Sequence, residues 1–257
     1  MKTLYLDCSA GISGDMVVGA LMDLGVPLDV IRNGLSQLEL PAESYKLASQ
    51  KTSRHGISAT HFMVEAPDLG HHRHYSDIKG AINASGLSDP VKELAQQIFL
   101  RLAEAESVVH GVPVDRVHFH EVGAIDSIVD IVGASIAISF LGVEQVASSP
   151  LPYGSGWVET AHGRLPVPAP ATAELMKGLQ VKPDMIPGEW VTPTGAAIVA
   201  ALATRTGTLP EMGITAIGYG AGTKECAERP NLLRAVLGET SKNSETVFVL
   251  ETHLDDM

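Results

Sequence analysis

The chain has 257 residues, 45% of them hydrophobic, 19% charged and 5% aromatic, with a formal net charge of −12. That is length for one large domain or two small ones around a sizeable core, while the acidity excludes a nucleic-acid backbone as partner and the few aromatics exclude a base-stacking surface. No apolar run approaches twenty residues and no signal-peptide pattern opens the chain, so no membrane partner and a cytoplasmic location are expected; Cys8 and Cys226 form no CxxC pair.

In chain order, residues 3–6 predict a short buried strand ending at Asp7, and residues 16–24 a helix closed by Gly25 and Pro27. Residues 29–38 predict a second short helix, and the alternation over 45–65 an antiparallel hairpin turning near Arg54, His55 and Gly56. A polar loop of His71, His72, Arg73, His74 and Tyr75 leads to a helix with Ser76 as N-cap. Ser88-Asp89-Pro90 opens a longer helix through its proline, and Val91, Leu94, Ala95, Ile98, Leu102 and Ala105 keep the helical repeat. Residues 125–141 are apolar on nearly all sides, which predicts a central buried helix, with a strand beyond it at 143–147. The Gly- and Pro-rich stretch that follows is expected to wrap over a surface, with two short helices near 171–177 and 195–204. Strand-like runs at 214–219, 232–237 and 246–252 finish the chain. The expected architecture is mixed α/β (α+β): a small sheet packed by helices, with Gly/Pro-rich loops at one edge. Residues 1–245 are expected to form an N-terminal domain, and 246–257 to begin a C-terminal domain that is cut short.

The segment 118–130 carries the densest chemistry: His118, His120, Glu121, Asp126 and Asp130 in otherwise apolar surroundings. His118 and His120 are two apart, so on an extended segment their rings share a side; Asp126 and Asp130 are four apart and share a helix face. Two anions one turn apart in apolar surroundings need a proton, a cation or a ring of donors. Imidazole and carboxylate together suit a divalent metal. The plainer alternative is that the helix dipole favours Asp126 in the first turn and Asp130 bonds a neighbouring backbone. The turn Asp7-Cys8-Ser9-Ala10-Gly11-Ile12-Ser13-Gly14-Asp15 joins strand to helix and can gather backbone N–H groups into an anion cradle, though it lacks the P-loop lysine; it reads equally well as a turn capped by Ser13. His71, His72 and His74 form either a metal-binding loop or an exposed polar one. His162 and Arg164 follow Gly154 and Gly156 on proline-pinned loops, where they face an anionic ligand or simply cover the core. Thr192-Pro193-Thr194 reads as the capped start of a helix, able to hold a phosphate or carboxylate.

With those residues in view the chain resembles the LarC family of nickel-insertion proteins. The likeness rests on residues 6–16 and 118–130, on Pro168-Ala169-Pro170-Ala171-Thr172, on Thr192-Pro193-Thr194-Gly195-Ala196, on Gly218-Tyr219-Gly220-Ala221-Gly222 and on residues 251–257, in the order of that family's N-terminal region. The resemblance implies a cyclometallase of the lyase class (nickel chelatase type) that inserts Ni(II) into pyridinium-3,5-bisthiocarboxylic acid mononucleotide, yielding the nickel-pincer cofactor of lactate racemase. It also implies consumption of CTP with Mn(II) or Mg(II), and a C-terminal part of the same protein that in some members is joined by ribosomal frameshifting. Further partners expected on the resemblance are other cofactor-assembly proteins, lactate racemase and further copies of the chain.

On that resemblance His118, His120 and Glu121 are the candidate proton acceptors. Ser9, Ser13, Asp15, His162, Arg164, Thr192 and Thr194 are the candidate substrate contacts, and His118, His120, Asp126, Asp130, His71, His72 and His74 the candidate metal ligands. A nickel chaperone or storage module built on His71, His72 and His74, and a metal-dependent phosphohydrolase using the Asp/His cluster, are the competing functions.

Overall fold

The computed structural model of the chain describes residues 1–38, 45–66, 73–119, 124–160 and 162–241. The chain opens with β1 (Lys2–Asp7), α1 (Gly14–Asp23), α2 (Leu28–Leu35) and the hairpin β2 (Lys46–Arg54)–β3 (Ile57–Glu65). Next come β4 (Arg73–His74), α3 (Tyr75–Ala84), α4 (Asp89–His110), a 3-10 turn (Val114–Arg116), β5 (His118–Phe119) and α5 (Ile125–Phe140). The second half runs β6 (Gln145–Ser148), β7 (Leu151–Ser155), β8 (Trp157–Thr160), β9 (Gly163–Pro166), α6 (Pro170–Leu175), β10 (Val181–Pro187), α7 (Pro193–Leu202), β11 (Ala203–Thr206), β12 (Gly213–Ala221) and β13 (Leu232–Glu239).

Seven strands form one mixed sheet in the order β11-β6-β1-β13-β12-β3-β2. It is larger than the small sheet expected, because β11 pairs with β6 and β3 with β12 across long sequence separations that periodicity does not reveal. β1 and β12 both run antiparallel to β13, and β3 runs parallel to β12, so β1, β12 and β3 point the same way. Their carboxyl ends therefore open on one rim, the place where sheets flanked by helices commonly bind ligands.

Alternation decides which face the helices cover. Leu4 and Leu6 of β1 and Leu233, Ala235 and Leu237 of β13 join the main core, while Tyr5, Ala147 and Val236 make a small cluster on the opposite face. α5 is buried almost all round, from Ile125 to Ile138, and packs on α1, α2 and α4. A helix apolar on every side is stable only at the centre of a core. α4 ends at Gly111, whose φ of +64° provides the left-handed C-cap.

Local signals account for several boundaries. The β2–β3 turn holds His55 and Gly56 at positive φ (48° and 79°), the conformation of a two-residue hairpin loop, where the turn was expected. α3 starts two residues earlier than the Ser76 cap predicts. β4 pairs with β5 and Tyr75 N–H donates to Val117 O (3.1 Å), which fixes the chain entry and puts His74 at the N-cap. The Gly/Pro-rich stretch holds no long elements, as expected, but it forms a parallel β7–β10 pair and the β8–β9 hairpin. The strand expected at 246–252 lies outside the described residues. No helix of the described residues is long and apolar enough to cross a membrane.

Candidate functional site

Gly11 sits at φ +121° and lies so close to Trp190 that a Cβ there would stand 2.1 Å from Trp190 O. That contact lets the β1–α1 turn stitch itself to the segment before α7: Ile12 N–H donates to Trp190 O (2.8 Å) and Thr192 N–H to Ile12 O (3.1 Å). Two separate sequence motifs thus become one wall. α7 is capped as expected, with Gly195 N–H donating to Thr192 Oγ1 (3.2 Å). α1 differs. Ser13 holds the N-cap position without a side-chain capping bond, and its hydroxyl donates to the Asp15 carboxylate instead.

The result is a cleft of about 610 Å³ onto which the N-termini of α1, α5 and α7 all open. Ser13, Gly14 and Asp15 come from α1 and its cap, Asp126, Ser127 and Asp130 from α5, and Thr192, Pro193 and Thr194 from α7 and its cap. β3 supplies the facing wall with His61, Phe62, Met63, Val64 and Glu65, and Glu189 and Thr223 complete the rim. A smaller recess of about 170 Å³ continues past Thr223 to Lys224, Trp190 and Asn231. Lys224 Nζ donates there to Glu189 O (3.0 Å).

The electrostatics are concentrated on α1 and α5. Asp130 is half-buried as a residue, yet its Oδ1 is shut off from solvent and has no hydrogen-bond partner among the described residues. Burial pushes its carboxyl well above the usual carboxylate range, and the neighbouring Asp15 and Asp126 push it further; a bond from Asp15 N–H only partly opposes them. Asp15 is raised as well, because burial outweighs the bonds from Ser13 Oγ and Met16 N–H and the nearby His61. Gly14 permits this crowding: a Cβ on it would lie 2.6 Å from Asp130 Oδ2.

Six of the residues predicted from sequence therefore line one cleft: Ser13, Asp15, Asp126, Asp130, Thr192 and Thr194. Five others, Ser9, His74, His118, His162 and Arg164, do not line it. Ser9 donates to Asp7, and Arg234 also pairs with Asp7. Burial alone would raise the Asp7 carboxyl, but Ser9 and Arg234 together hold it below the usual value. His162 lies against His110 on the α4 terminus, ring centroids 5.1 Å apart. The Arg164 guanidinium stacks over the Trp157 ring at 5.3 Å and is 3.8 Å from Glu159. His118 meets His74 across β4 and β5, ring centroids 4.7 Å apart, rather than joining Asp126 and Asp130. His71, His72, His120 and Glu121 lie outside the described residues.

Sequence reasoning missed His61, Ser127 and Glu189 as cleft residues. His61 offered one weak signal, a lone imidazole midway along an alternating strand; its place opposite Asp15 follows from the β3–β12 pairing.

Comparison with known proteins places this geometry in context. Relatives named for nickel insertion from Geotalea daltonii and Geobacter sulfurreducens are each 57% identical over all of this chain and 66% of their own length. A protein of Geobacillus kaustophilus named "Pyridinium-3,5-bisthiocarboxylic acid mononucleotide nickel insertion protein" is 49% identical over all of this chain and 67% of its own. The chain thus spans about two thirds of the length of the curated relatives it matches. No solved structure matches it significantly. The sequence profile described as "Nickel insertion protein" matches residues 4–257, and by that match together with these relatives the chain belongs to the nickel insertion protein family.

Proposed function

We propose that this cleft is where Ni(II) is inserted into pyridinium-3,5-bisthiocarboxylic acid mononucleotide, the molecule in the name of the Geobacillus kaustophilus relative. The product on this reading is the nickel-pincer nucleotide of lactate racemase. One observation carries it: three helix N-termini and three aspartates meet in a cleft of nucleotide size. A mononucleotide with a pyridinium ring carries an anionic phosphate and a cationic ring. Helix N-termini with Ser13, Thr192 and Thr194 suit the first, and carboxylates suit the second.

The substrate's two thiocarboxylates supply soft sulfur donors for nickel, so the protein need only orient the ring and take up the proton released when a ring carbon bonds the metal. On this reading His61, which lines the cleft, accepts that proton. Consumption of CTP with Mn(II) or Mg(II), lyase chemistry and dependence on a C-terminal part belong to the same proposal. The described residues do not by themselves fit a resident Mn(II) or Mg(II), since no three of their His, Cys, Asp or Glu side chains stand in a metal-holding arrangement, and no step is routed through either ion.

The test combines the chain with the C-terminal part of a relative, nickel, CTP and substrate, and weighs the nucleotide product by mass spectrometry. Nickel should enter the product, and Thr192→Ala with Thr194→Ala should cut the rate at least tenfold. Unchanged insertion by that double variant would move the reaction elsewhere.

A further inference from the structure

Among the described residues the cleft gathers carboxylates without a lysine or arginine to match them. Asp15, Asp126, Asp130, Glu65 and Glu189 line it, and no lysine or arginine does so among the described residues. Lys224, just beyond, is already engaged with Glu189. The helix N-termini lend partial positive charge, yet Asp130 Oδ1 is left shut off from solvent and without a partner among the described residues. A polar atom in that state costs folding free energy and signals a group that arrives later.

Two observations bear on what arrives. The described acids are not arranged as a metal cage. Across from them β3 brings half-buried Met63 and Val64 to the cleft wall, with Phe62 in the core behind, apolar surface that a hydrated ion has no use for and a flat ring does. Met63 adds a thioether, a favourable neighbour for an aromatic ring.

We propose that Asp15, Asp126 and Asp130 form a subsite for the positive charge of the pyridinium ring, so that the cleft selects an N-ribosyl pyridinium monophosphate over a neutral ring of the same shape. The ring lies between these carboxylates and the Met63 side of β3. Its phosphate reaches Thr192 and Thr194 at the start of α7. This rests on the proposed function and adds to it a reason for the acidic floor: the aspartates read ring charge.

The experiment is calorimetric titration of the whole chain with two ligands. Nicotinate mononucleotide is the cationic probe, and a C-riboside monophosphate bearing a benzoate ring is its neutral counterpart. The cationic ligand should bind at least tenfold more tightly. Asp126→Asn, at an exposed position where folding is not at stake, should remove most of that preference. Thr192→Ala should weaken both ligands by a similar factor. Equal affinity for the two ligands in the unaltered protein overturns the ring-charge subsite and leaves the proposed function standing, whereas binding of neither overturns both. In a third arm Ni(II) alone is titrated. Nickel binding that Asp126→Asn abolishes while ring preference persists would assign the acids to the metal and overturn the proposal.

Discussion

Replacing Asp130 by Asn should stabilise the ligand-free protein at neutral pH. The Asp130 carboxyl is raised by burial, by Asp15 and by Asp126. In the unfolded chain the same carboxyl ionises near its ordinary value of 3.8. Below that pH both states are protonated and the group contributes no penalty. As pH rises the unfolded state ionises first, so stability is lost with increasing pH until the folded-state value is passed. The loss is bounded: holding a carboxyl of ordinary pKa protonated at pH 7 costs about 4 kcal/mol at most. Asn copies the neutral acid and escapes the penalty, so a gain of up to about 4 kcal/mol is expected at pH 7, or up to roughly 15 °C in Tm for a chain of this size. The gain should shrink steadily towards pH 4. Thermal melts of the two proteins at half-unit pH steps measure it. A destabilised Asn variant at every pH, or a gain that does not change with pH, would refute the electrostatic account of the cleft floor.

Three further outcomes follow from neighbouring contacts. Gly14→Ala places a methyl 2.6 Å from the Asp130 carboxyl, which should cost about 1–3 kcal/mol in urea unfolding despite alanine's better helix propensity. Thr192→Ala removes the oxygen that accepts from Gly195 N–H and should cost about 0.5–2 kcal/mol, with Thr192→Ser restoring most of it. Arg234→Ala frees Asp7, whose carboxyl sits below its usual value. The stability this pair gives is present above pH 4 and lost as pH falls through the lowered Asp7 value, so the variant should be weaker at pH 7 by about 1 kcal/mol or less, with the gap closing in urea titrations only once the pH falls below that lowered value.

Most local elements, and the Thr192 cap of α7, were legible in the linear sequence. The apolar girth of residues 125–141 pointed to a central helix, Ser88-Asp89-Pro90 marked the start of α4, and Thr192-Pro193 that of α7. These depend on neighbours within one or two turns, which a linear reading contains. It also named six residues that share the cleft, because helix starts rich in Ser, Thr and Asp are local features.

Only the tertiary structure decided which of those helix starts face one another. Gly11 against Trp190 joins residues about 180 positions apart, and the β3–β12 pairing swings His61 opposite Asp15. The same packing keeps His118 with His74, and His162 with His110, away from the acids. Charge clusters in a sequence show that a counter-charge is needed; long-range strand pairing and close backbone approach decide where it must sit, and neither leaves a periodic trace.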